Sequence, residues 1–359
     1  MASHGSPAPP ISTRQQDAPA RGARSLLQAP KLKLKLLHTT ATATPDDHDE
    51  IRYLVIDGYV KTGRDVLEAG GATTAGQLYA NMLVKATERG VGRSAAYDLI
   101  YPADPGFVAP DLSKYHGVGW SGSSLAVHER DDPSVVQMMN LVRQSFAHAC
   151  FGLQLAVATA GGVVQKNKRG KELGVARKIR LNAAGRAHPM YEGKPSVFDA
   201  FSSHKDEVQV IQPGGLQLAS NSFTTVQSVC LRYLKGEFWG LQYHPEYDLH
   251  EMARLLHCRR EVNTQLGFFS DLEDADRFVD LMEELAEDPT RDDLAWQIGY
   301  DKDVLDEDIR TCEVKNFVNI WCYRILCSAE NNRETRKSKM FRAGKKWHNL
   351  LVTVSENAS

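Results

Sequence analysis

No apolar run in the chain approaches the roughly 20 residues that a membrane-crossing helix needs, so no spanning helix is expected. Charge of one sign is also missing. Forty-three Lys and Arg against 45 Asp and Glu leave a formal charge of −2, and the basic bias of a nucleic-acid-binding domain is absent. Cysteine is sparse: Cys150, Cys230, Cys258, Cys312, Cys322 and Cys327 show no CxxC pair and no metal-type spacing. Neither a disulfide scaffold nor a zinc framework is expected, and a reducing compartment is the simplest setting. The apolar core of a secretory signal is missing from the N-terminal segment. Acid is almost lacking before Asp46 and Asp47, in a stretch rich in Ala, Pro, Ser, Thr and Arg. We expect residues 1–49 to be a disordered tail or, as the alternative, an organelle-targeting segment; otherwise a cytoplasmic location is expected.

What the chain does contain is ordinary globular composition, 42% hydrophobic and 25% charged over 359 residues. From Ile51 the pattern becomes ordered. IRYLVIDGY (51–59), YDLIY (97–101) and YHGVGW (115–120) read as short buried strands, with helical spacing over 74–89 between the first two. Asp132-Pro133 opens another helix, with proline in its first turn. Strands alternating with helices predict a parallel sheet covered on both faces. Strands are further expected near Val163, over 175–181, 208–211, 217–219, 226–233 and 238–243. After Asp248, helical spacing returns over 249–266, 272–285 and 292–298. The basic end of the chain, residues 326–359, lacks periodicity and reads as a solvated, disordered tail.

Two segments carry chemistry. In HACFGLQLAVATA (148–160) a cysteine precedes Phe151-Gly152 and then an apolar run. This layout suits a nucleophile on a sharp turn into a buried helix, whose N-terminus stabilises a thiolate. Taken alone it is also how many buried structural cysteines look. In FWGLQYHPEYD (238–248) an apolar strand delivers His244, with Glu246 two residues on. A cysteine nucleophile needs a base, and the base needs a partner that fixes its tautomer. The Ser121 to Ser124 cluster does not fit a serine-hydrolase elbow, because Gly122 directly follows Ser121.

Together the segments resemble the class I glutamine amidotransferases, especially the glutaminase domain of GMP synthase and freestanding relatives such as γ-glutamyl peptidases. The elbow GxCxGxQ is matched at Cys150, Gly152 and Gln154, and YHPE is intact over 243–246. Gly119 to Ser124 resembles the family's glycine loop, and Ser203 to Val208 its SHxDEV segment. The resemblance implies an α/β fold, a flavodoxin-like three-layer sandwich with a central, mostly parallel sheet over residues 50–250, with a C-terminal helical extension over 251–325. It implies Cys150 as nucleophile, His244 as base and Glu246 as orienting carboxylate. Backbone N–H groups of Gly122, Ser123 and Phe151 would form the oxyanion hole, at about 2.7–4 kcal/mol per donor. Gln154, Ser203 and His204 would hold the substrate, although ordinary packing explains them nearly as well.

The implied activity is hydrolysis of the glutamine side-chain amide through a γ-glutamyl thioester, with ammonia released to a separate acceptor enzyme. No metal or organic cofactor is required. The alternatives are a γ-glutamyl peptide hydrolase that needs no partner, and a catalytically silent scaffold. The scaffold reading comes from two departures: His148 stands where the family has glycine, and too few residues separate the helix of 135–146 from Cys150 for a full buried strand. The strand that aims the nucleophile is therefore expected to be shortened or displaced.

Overall fold

In a computed structural model of the chain, the described residues are 50–145, 149–150, 152–233 and 236–320, with the side chains of 145, 149, 150 and 236 excepted. The N-terminal segment, the basic tail, His148 and Phe151 lie outside them.

Strand β1 (Ile51–Ile56) is the centre of the first sheet because Leu54, Val55 and Ile56 have no exposed surface. Burying such side chains is worth about 1.5–3 kcal/mol each. The chain then forms α1 (Lys61–Ala69) and α2 (Ala75–Val91), returns as β2 (Ala95–Ile100), and crosses to β3 (Gly117–Trp120). Strands β2 and β3 both pair in parallel with β1. Asp57, at the carboxyl end of β1 and fully buried, accepts from Tyr59 N–H and from Gly76 N–H in the first turn of α2. One carboxylate thus fixes both the 57–59 turn and the start of the next helix.

Helix α3 (Pro133–Ser145) begins where the Asp132 carboxylate accepts from Ser134 N–H. Strand β4 follows and is only two residues long, Ala149–Cys150, paired in parallel with Val118 and Gly119. Next come α4 (Leu153–Thr159) and β5 (Val163–Lys166). The first sheet has the order β2-β1-β3-β4 and is wholly parallel.

The remaining strands are antiparallel. They are β6 (Glu172–Leu181), β7 (Val197–His204), β8 (Asp206–Val210), β9 (Leu216–Ser220), β10 (Ser228–Tyr233) and β11 (Gly236–Leu241), with the short helix α5 (Ala183–Ala187) after β6. Five of them form a sheet of order β11-β10-β9-β6-β7, while β5 and β8 make a separate ladder. The architecture is therefore mixed α/β with a small parallel sheet, its strands among the described residues divided among three sheets. Elements not foreseen from the pattern include α1, α5 and β7. Strand β7, VFDAFSSH, is buried over Phe198 to Ser202 on both faces, so it shows no clean alternation.

The C-terminal helices begin with α6 (Leu249–Cys258), capped by Asp248, whose carboxylate accepts from Glu251 N–H. Then follow α7 (Arg260–Gln265), α8 (Leu272–Glu287), α9 (Asp292–Ile298), α10 (Lys302–Leu305) and α11 (Glu307–Arg310), and residues 312–320 are again helical. Leu255, Leu256, Val279, Met282 and Leu285 pack one core with Tyr59, Phe201 and Tyr247. Val314, Phe317 and Val318 join the other core, around the parallel sheet. Among the described residues no helix is long and apolar enough to cross a membrane.

Candidate active site

The carboxyl ends of β1 and β3 leave the sheet side by side, and their turns interlock. Ser123 Oγ donates to Gly58 C=O at 2.7 Å, and Gly58 N–H donates to Ser121 Oγ at 3.3 Å. A Cβ at Gly58 would stand 2.9 Å from the carbonyl oxygen of Gly122, so only glycine lets the two turns approach this closely. Gly122 and Ser123, expected from the sequence to donate to an oxyanion, are thus held by Gly58 from behind.

At the elbow, Cys150 ends β4 in register with Gly119, and its side chain is outside the description. Gly152 has φ 106°, a left-handed conformation that turns the chain from β4 into α4 over the Trp120 ring. Only Phe151 and Gly152 separate β4 from α4, and β4 itself is two residues long.

The residue expected as base, His244, lies just beyond the last strand of the other sheet. Beyond β11 the chain continues through Gln242 and Tyr243, and His244 N–H donates to Phe201 C=O of β7 at 2.8 Å. Asp248 then caps α6, so the Tyr243–Tyr247 loop is anchored at both ends. His244 Nδ1 lies 2.7 Å from Glu246 Oε1. The Glu246 side chain is fully buried and that of His244 is 12% exposed, so the imidazole keeps some access to solvent while the carboxylate is sequestered. With Nδ1 directed to Glu246, Nε2 has no hydrogen-bond partner among the described residues. Oε2 of Glu246 is also buried, with no hydrogen-bond partner among the described residues. The Tyr247 ring lies 4.7 Å from the imidazole and tilted 32° to it. On the side of the glycine loop, a Cβ at Gly122 would come 3.4 Å from His244 Cε1. The imidazole therefore sits against the loop.

The three expected substrate-holding residues are placed differently. Gln154 is half-buried and its amide N–H groups donate to Asp206 C=O and to Gln242 Oε1. Ser203 is half-buried and accepts from Arg259 Nη1 at 3.4 Å. His204 is buried with both ring nitrogens engaged, one by Asp206 C=O and the other by Glu172 Oε2 at 2.8 Å. Glu172 also accepts from Asn221 and Gln227. Burial works to raise the Glu172 carboxyl, but these donors outweigh it and hold the group below its usual range. In this state Gln154 and His204 brace the polypeptide between the sheets.

Sequence reasoning missed Arg259, Lys171 and Tyr59, which surround Ser203. Arg259 stands at the junction of α6 and α7, one helix beyond the 243–247 loop. A group able to close on a metal ion, His188, Cys230 and Glu237, has its donor atoms within 4.8 Å of one another. Its Glu237 already accepts from Trp239 Nε1 and from Arg232.

Residues 132–258 match the family described as Glutamine amidotransferase class-I, and the chain carries a class I glutamine amidotransferase domain. It is similar to a gamma-glutamyl-L-1-hydroxyisopropylamide hydrolase of Pseudomonas sp, 28% identical over 218 residues, which are 58% of this chain and 72% of that one. It is also similar to the glutamine-hydrolyzing GMP synthase of Thermosipho africanus, 31% identical over 127 residues. That match covers 35% of this chain and 23% of the synthase, so the chain spans only about a quarter of its length. A glutamine amidotransferase structure from Thermotoga maritima aligns with 66% of this chain and 94% of its own, at 16% identity and TM-score 0.48.

Proposed function

We propose that the chain hydrolyses γ-glutamyl amides, glutamine being the simplest, through a thioester on Cys150. The observation that carries this reading is the His244–Glu246 pair, buried on its carboxylate side and set against the Gly122 loop. His244 takes the thiol proton and the sulfur attacks the side-chain carbonyl. Negative charge then develops on the carbonyl oxygen, where N–H groups of the Gly122-Ser123 loop and of Phe151 would receive it. Collapse expels ammonia, or the amine of a substituted amide, with the proton from His244. Water activated by the same imidazole then cleaves the thioester and releases glutamate. The class of the domain and the γ-glutamyl amide specificity in the Pseudomonas relative's name both support this chemistry.

Within this reading, residues 50–250 are the amidotransferase domain, in the flavodoxin-like frame of its family, and 251–325 are its helical extension. With glutamine as substrate, the ammonia would serve a separate acceptor enzyme. The test is covalent labelling of Cys150 by a diazo-oxo-norleucine, read by intact and peptide mass spectrometry. A single adduct, blocked by glutamine and lost in His244→Ala, is expected. Labelling scattered over the other cysteines, or none, would favour a silent scaffold instead.

A further inference from the structure

Beside the catalytic loop stands a group of cations with no acid. Arg259, between α6 and α7, donates from Nη2 to the Tyr59 hydroxyl at 2.9 Å and from Nη1 to Ser203 Oγ at 3.4 Å. Lys171 donates to Asn263 Oδ1 at 2.8 Å. In the β6–β7 ladder Glu172 faces His204, which places Lys171 and Lys205 one step beyond, as like charges on neighbouring chains. Such pairs are destabilising unless something offsets them. None of Arg259, Lys171 and Lys205 forms an ion pair among the described residues. Burial, then Arg259 and Lys205, hold the Lys171 ammonium down to about 7. Asn263 has no exposed surface, yet its Nδ2 has no hydrogen-bond partner among the described residues. The cations meet only neutral acceptors among the described residues, and one buried donor is left over.

The position is as informative as the charge. Ser203 lies two residues from Phe201, whose carbonyl holds His244. Tyr59 follows Gly58, which packs against the Gly122 loop. Arg259 therefore bridges the two segments that frame the base and the oxyanion loop. We propose that Arg259 and Lys171, with Lys205 at the rim, form the site that receives a carboxylate of the γ-glutamyl substrate. This rests on the hydrolase reading for the identity of the ligand. A guanidinium with a planar donor fork suits a carboxylate, and a charged hydrogen bond of this kind is worth a 10- to 100-fold change in affinity, to order of magnitude. The carboxylate has two sources: the α-carboxylate of the glutamyl group, or one on the amine that leaves.

Calorimetric titration of the full chain carrying Cys150→Ser, with and without Arg259→Gln, separates them. The first ligand pair is L-glutamine and 4-aminobutyramide, which lacks the α-carboxylate. The second is γ-glutamylglycine and γ-glutamylethylamide, which lacks the carboxylate on the leaving side. Arg259→Gln should weaken L-glutamine but not 4-aminobutyramide by about 10- to 100-fold if the α-carboxylate is held. It should weaken γ-glutamylglycine but not γ-glutamylethylamide if the leaving-side group is held. Arg259→Lys should recover part of the loss, and Lys171→Gln, on another element, should repeat it if Arg259→Gln fails to fold. Equal effects within both pairs, no effect, or no binding of any of the four ligands would overturn the proposal. Turnover by the unsubstituted chain is a separate readout: its absence would remove the hydrolase reading while binding still decides the site.

Discussion

Tyr243, the residue before His244, donates its hydroxyl to Glu313 Oε1 at 2.6 Å. Glu313 belongs to the C-terminal helical stretch, so that segment contacts the 243–247 loop. Its other oxygen pairs with Lys194 Nζ at 3.1 Å, and both side chains are 1% exposed. Tyr191 bridges Tyr243 and Ser228. Removing Glu313 leaves Lys194 buried and uncompensated, which costs about 3–5 kcal/mol. Glu313→Ala should therefore shift the urea midpoint strongly, whereas Tyr243→Phe, which keeps the Lys194 pair, should cost about 1.5–3 kcal/mol. Equal shifts for the two variants would show that the ion pair contributes nothing beyond the hydroxyl bond.

Glu246 fixes His244 through a single 2.7 Å contact. In Glu246→Gln the amide can present the wrong partner to Nδ1 and favour the wrong tautomer. A comparable change in a serine protease triad lowers kcat about 10⁴-fold, and we expect a fall of at least about 100-fold with KM little changed. Steady-state hydrolysis of L-glutamine is the measurement. A variant with near-normal kcat would mean that Phe201 C=O and the Tyr247 ring already orient the imidazole.

How much of this was legible in the sequence depends on how local each signal is. The short apolar strands β1, β2 and β3, and the helices α2, α3 and α8, announced themselves by periodicity and by Asp132-Pro133. The His244–Glu246 contact could be expected because both residues lie in one three-residue turn. The shortened strand before Cys150 was readable as a shortage of residues, and β4 has two. What stayed hidden depends on distant partners. His204 looked like a substrate contact, but Glu172, 32 residues earlier, takes its second nitrogen. Nothing near Tyr243 in sequence points to Glu313, 70 residues on. Sheet partition was equally hidden, since alternation says which face is buried and not which strand is the neighbour.

The interlocked turns at Gly58 and Gly122 give a prediction about positioning. A methyl at residue 58 would meet a backbone carbonyl at 2.9 Å, which cannot swing aside as a side chain can. Gly58→Ala should displace the oxyanion loop, and a small displacement of a catalytic group costs about 100-fold in rate. Gly122→Ala should be milder on steric grounds, because its Cβ would make an ordinary 3.4 Å contact with His244. Comparing kcat for the two variants, with circular dichroism as the folding control, tests the order. If Gly122→Ala proved the more damaging, the loop would be held by something other than Gly58.

Lys171 gives a pH dependence whose sign can be worked out. Its folded pKa is held down to about 7, first by burial and then by Arg259 and Lys205, while the unfolded value is about 10.4. Between these values the unfolded chain binds a proton that the folded chain does not, so stability contributed by this group rises with pH. The full penalty for charging Lys171 applies below about 7 and is relieved as pH climbs toward 10.4. Urea unfolding across pH 7 to 10 should therefore show a rising component in the unliganded protein that Lys171→Met removes. An anion in the Arg259 site would favour the charged ammonium and reverse the trend, so saturating L-glutamate should flatten the rise if its carboxylate lies there. A Lys171→Met profile identical to that of the unsubstituted chain would mean that Asn263 and solvent already accommodate the charge.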